Sequence, residues 1–94
     1  MDSLNIIYKH SNKIISRKEG NEYILVPINR NVGDMTNVFT LKEVAAFIWE
    51  NIDGKNCLQE ILNLLCQEYE IDTATAKLDL ENFVKKLEKM LDVV

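Results

Sequence analysis

The sequence predicts an α+β domain of winged-helix type, a three-stranded antiparallel sheet followed by a three-helix bundle. Two observations carry this. β-compatible runs separated by turn residues are confined to about residues 13–41, and apolar spacing of three and four then takes over from about residue 41 to 91. A third sets the scale: 94 residues are enough for one core and seldom for two, so residues 1–94 are read as a single domain.

Lys13 to Lys18 is the first strand-like run, and Gly20-Asn21 supplies turn chemistry after it. Glu22-Tyr23-Ile24-Leu25-Val26-Pro27-Ile28 is a denser apolar run, so the two form a hairpin. Pro27 has no N–H to give a ladder, which ends or interrupts the strand there. Asn29 to Asp34 is loop-like, and Thr36 to Leu41 reads as a third short strand.

The first helix places Leu41, Val44, Ala45, Ile48 and Ile52 on one face and stops at Asp53-Gly54, where glycine suits the left-handed C′ position. The second starts near Asn56, with Gln59 three residues on, and carries an apolar stripe of Leu58, Ile61, Leu62, Leu65 and Tyr69. The third is capped by Asp72 and runs to about Leu91, with Ala76, Leu80, Phe83, Leu87 and Leu91 at its buried centre. Lys77, Glu81 and Lys85 alternate in sign on its outer face at i,i+4 spacing.

Composition narrows the function. The chain is 47% hydrophobic and 28% charged, with a net charge of −4. No run approaches the roughly 20 apolar residues of a membrane span, and no signal-peptide pattern opens the chain, so a cytoplasmic protein without a membrane partner is expected. Nucleic acid is not expected as a partner, because clustered Lys and Arg are scarce. Lys9, Lys13, Arg17 and Lys18 read as a solvated strand face. Cys57 and Cys66, nine positions apart, are too distant along a helix to bridge and lack companion ligands for zinc, so both are expected as reduced thiols without a metal. His10, the one histidine, reads as exposed near a flexible terminus and has no nucleophile in a recognisable setting. No phosphate-binding glycine loop is present. The expectation is a protein that is not an enzyme and needs no cofactor.

A surface that binds something remains. A three-stranded sheet leaves an edge of unpaired N–H and C=O groups, and Thr36–Leu41 carries no Pro or Lys to block it. An extended peptide can add to such an edge. The alternative is that the N-terminal arm covers it, or that it is too short to matter.

The stretch Val38-Phe39-Thr40-Leu41-Lys42-Glu43-Val44-Ala45-Ala46-Phe47-Ile48-Trp49-Glu50-Asn51-Ile52-Asp53-Gly54 resembles the signature of the PqqD family, most specifically at Ala45, Ile48-Trp49 and Asp53-Gly54. Tyr23 to Pro27 is similar to that family's hydrophobic second strand. Leu58 to Tyr69 resembles its second helix, and Asp72, Leu80, Phe83, Val84 and Leu87 its third. The chain departs from the pattern at Lys42 and Val44, where the family has Asn and Thr, and lacks the family's Gly-Leu ending. Lysine caps poorly, whereas Thr40 with Glu43 offers a capping box that starts the first helix earlier.

The resemblance implies a RiPP recognition element. Such a domain binds the leader segment of a ribosomally made precursor peptide and presents it to a modifying enzyme, often a radical SAM protein. The leader lies along the third strand in a groove closed by the third helix. Carried over, the peptide-binding residues are Thr36, Asn37, Val38, Phe39 and Thr40 on the strand, and Lys77, Leu80, Glu81 and Val84 on the helix. By strand alternation, Phe39 and Leu41 share the face that packs on the helices. Two rivals stand beside this reading: an adaptor of winged-helix fold that binds a folded protein, and a DNA-binding regulator. The second helix has no Lys or Arg with which to support the regulator. The precursor, the product and the link to PQQ synthesis stay open. So does the oligomeric state, since an unblocked edge pairs with its own copy as readily as with a ligand.

Overall fold

A computed structural model describes residues 4–28 and 38–94. The predicted hairpin is present. Strand β2 (Ile14–Glu19) pairs antiparallel with β3 (Glu22–Pro27), Glu19 opposite Glu22, across a two-residue loop whose Gly20 takes φ +64°. The strand does end at Pro27. Strand β4 (Phe39–Leu41) then pairs antiparallel with β3, giving the order β2-β3-β4. Helices α1 (Glu43–Asn51), α2 (Leu58–Tyr69) and α3 (Thr73–Lys86) follow.

The inner sheet face meets these helices through Leu25 and Leu41, with Tyr23 and Phe39 packed alongside. Leu25, Ile48, Trp49, Ile52, Ile61, Leu65, Leu80 and Leu87 are fully buried, so every layer contributes to one core. Tyr69, expected within the buried stripe of α2, is instead 37% exposed.

Two further strands were not foreseen. Strand β1 (Tyr8–His10) pairs antiparallel with β5 (Leu91–Val93), reached through a 3₁₀ turn at Glu88–Met90. α3 therefore ends at Lys86, short of the expected Leu91. Met90 and Leu91 keep the buried period without continuing the helix. From Leu4 onward the N-terminal arm, rather than covering β4, runs beside the start of α2, where the Ile6 and Leu4 carbonyls accept from the Leu58 and Gln59 N–H groups at 3.0 and 2.9 Å. Those are donors a helix start otherwise leaves unpaired. His10, expected exposed, is half-buried and stacks flat on Trp49, centroids 3.7 Å apart.

Cap assignments shift by a residue or two. α1 begins at Glu43, not earlier: Thr40 stays in β4, the N-cap is Lys42 without a side-chain bond, and Glu43 itself has φ +51°. α2 is capped at Cys57, whose N–H donates to Glu60 Oε1 at 2.8 Å. Asn56 instead closes the preceding turn, its N–H donating to Asp53 Oδ1. Gly54, expected at C′, lies one position beyond it at φ +80°, because α1 ends at Asn51 with Ile52 as its C-cap. Asp72 caps α3 as predicted, accepting from the Thr75 N–H and hydroxyl. Cys57 and Cys66 are free.

Candidate functional site

β4 lies at the sheet margin, with β3 on one side and no strand on the other among the described residues. Beside it opens a cleft of about 330 Å³. Thr40 and Leu41 form the strand wall, Val44, Ala45 and Ile48 of α1 the floor, and Asp79, Asn82, Phe83, Lys86 and Leu87 of α3 the far wall.

The local physics explains each side. The left-handed turn at Glu43 lets α1 start directly after β4, which brings the Val44 flank under the strand. Asp72 fixes where α3 starts and hence its rotation, and Leu80, wholly buried, anchors it to the core. The floor is apolar. The polar groups sit on the rim, with Asp79 and Lys86 seven residues apart along α3, about 10 Å by helical rise. An extended chain laid here could take its backbone bonds from β4 and set one apolar side chain into the floor.

Of the residues expected on the strand, Thr40 is exposed and lines the cleft, Phe39 is half-buried against the core, and Val38 is exposed just before β4. Thr36 and Asn37 lie outside the described residues. On α3 the expected set and the cleft wall diverge. Lys77 and Glu81 are exposed on the opposite flank of the core stripe, Val84 is half-buried on that flank, and Leu80 has no exposed surface. Periodicity identifies the core stripe, and Asp79-Asn82-Lys86 borders it as closely as Lys77-Glu81-Val84 does. Only the position of β4 chooses between the flanks. Val44 and Ala45, read from sequence as core, also belong to the cleft.

Among the described residues no group of three or more His, Cys, Asp or Glu could hold a metal ion. No helix there is long and apolar enough to cross a membrane.

Among solved structures the chain is similar to TbiB1 in complex with the TbiA(beta) leader peptide. The two are 26% identical, with a TM-score of 0.77, over 89% of this chain and 94% of that one. No curated protein matches. The family described as Coenzyme PQQ synthesis protein D (PqqD) matches residues 22–90, which run from the start of β3 to the 3₁₀ turn before β5. The chain belongs to the PqqD family.

Proposed function

We propose that this chain is a RiPP recognition element: a peptide-binding domain that captures the leader of a ribosomally made precursor by strand addition along β4. It carries out no chemistry itself. The observation that carries the reading is the apolar-floored cleft beside the edge of β4 that no strand pairs among the described residues, in a fold similar to a chain solved with a leader peptide bound. The leader's backbone takes the edge. Its side chains are read by Val44, Ala45 and Ile48 below and by Asp79, Asn82, Phe83 and Lys86 across.

Function follows by tethering. Holding the leader raises the effective concentration of the attached core peptide at a modifying enzyme, of radical SAM or another type, without any catalytic group in this chain. Modest affinity suffices, and it suits release of the finished peptide.

The test is an amide chemical-shift titration of the labelled chain with a leader-length peptide from the nearest precursor gene. Shifts concentrated on Thr40–Leu41 and the Asp79–Leu87 flank support strand addition there. A second cluster at Lys77, Glu81 and Val84 would extend the site around α3. An unchanged spectrum at millimolar peptide rejects capture of that leader and moves the adaptor reading to first place.

A further inference from the structure

On the opposite flank of α1 from the cleft lies a larger depression of about 530 Å³, between the β2–β3 hairpin, the start of α1 and the end of α2. Phe47 and Tyr69 meet edge to face in its wall, ring centroids 5.5 Å apart. Four carboxylates surround them. Two are already matched: Glu50 with the Lys18 ammonium at 3.6 Å, and Glu22 with that of Lys42 at 4.0 Å. Glu43 and Glu68 have no cation within ion-pair distance among the described residues. Both act on Tyr69: its hydroxyl is pushed above its ordinary value of 10.0 by burial first, then by the charges of Glu68 and Glu43. Glu43 is also the residue held in the left-handed region at the strand-to-helix turn.

A half-buried phenylalanine ring and an exposed tyrosine ring, beside carboxylates with no cation partner among the described residues, are complementary to a guanidinium. It is planar, weakly hydrated, stacks on a ring face and forks onto carboxylate oxygens. Lysine fits less well, because a compact, strongly hydrated ammonium loses more on leaving water. We propose that this groove docks an arginine-bearing surface segment of the enzyme that modifies the captured peptide. Ala46, Phe47 and Glu50 face this groove, whereas Val44, Ala45 and Ile48 face the leader cleft. One helix thus separates two sites that can be filled together, as tethering requires. The enzyme's identity rests on the leader-capture reading; the arginine chemistry does not.

The probe is acetyl-arginine amide, titrated into the full labelled chain, with acetyl-citrulline amide as its neutral isostere. Saturable shifts at Ala46, Phe47 and Tyr69 are expected with arginine only, leaving Thr40 and Leu41 unmoved. Glu43→Gln and Glu68→Gln should each weaken the response about fivefold, the upper range for an exposed pair, with thermal melts unchanged. Equal shifts from citrulline, shifts scattered over every acidic surface, or none at all would overturn the proposal. So would sedimentation showing a dimer whose dissociation uncovers the groove, since the occupant would then be a second copy. Loss of leader-induced shifts while arginine still binds would count against leader capture alone.

Discussion

Trp49 joins β2 and β1 to α1 through one side-chain and one backbone hydrogen bond. It has no exposed surface, its indole N–H donates to Ser16 Oγ at 2.9 Å, and its carbonyl accepts from His10 Nε2 at 2.8 Å. The carbonyl can only accept, so His10 carries a hydrogen on Nε2. Burial lowers the His10 pKa from its ordinary 6.5, and the Trp49 carbonyl and the Asp53 charge only partly oppose it. A histidine that protonates less readily folded than unfolded leaves stability intact above its unfolded pKa, and stability is lost as pH falls through that value. Chemical denaturation should therefore show declining stability from about pH 7 to about pH 5.5, where histidine titrates. His10→Phe, which keeps a stacked ring without a titrating nitrogen, should flatten that decline. Asp53 and Asp72 do not blur the window, since backbone donors at Asn56 and Lys55, and the Thr75 hydroxyl and N–H, hold their carboxyls below the usual range. A second prediction concerns the backbone. Glu70 closes α2 at φ +51°, where a β-carbon is crowded. Glu70→Gly should stabilise the chain by up to about 1 kcal/mol in denaturant melts, since glycine meets no such penalty.

At the scale of elements, the cleft depends on α1 and α3 standing apart beside β4. Ala45 is the small residue in its floor. Ala45→Arg should fill the cleft and weaken leader binding at least about tenfold, near 1.4 kcal/mol, in a fluorescence titration, while the melt shifts little because Ala45 is only half-buried. Lys77→Ala, on the other flank of α3, separates the two assignments of the helix wall. Equal losses from Lys77→Ala and Lys86→Ala would place the leader around both flanks, and a loss from Lys86→Ala alone would confine it to the cleft. The hairpin, three helices and Asp72 cap were legible because each leaves a local mark: a period, a turn glycine or a cap. The choice between the flanks of α3 was not, since both border the same core stripe and the deciding contact comes from a strand some forty residues earlier. The end of α3 was hidden for a related reason. Met90 and Leu91 are buried at helical spacing although the chain has already left the helix. Nor does Tyr8-Lys9-His10 mark a strand by itself; three residues become one only when Leu91–Val93 lies alongside.

For the whole molecule, the β1–β5 pair ties the two ends of the chain together, and the arm that leads into β1 caps α2. This clasp and the cleft beside β4 share no residue. Leu91→Ala removes a buried side chain from the clasp and should cost about 2–3 kcal/mol, the lower range for such truncations. Leader peptide at a hundred times its dissociation constant should add about 2.7 kcal/mol of stability, because it binds only the folded chain. Independent sites add, whereas coupled ones do not. Denaturant melts of wild type and Leu91→Ala, each with and without saturating leader, therefore form a double cycle. The same increment from leader in both backgrounds means that the clasp holds the fold while β4, α1 and α3 alone hold the peptide. A smaller increment in Leu91→Ala would mean that α3, which leads into the clasp through the 3₁₀ turn, moves when the clasp loosens and takes the Lys86 end of the cleft with it.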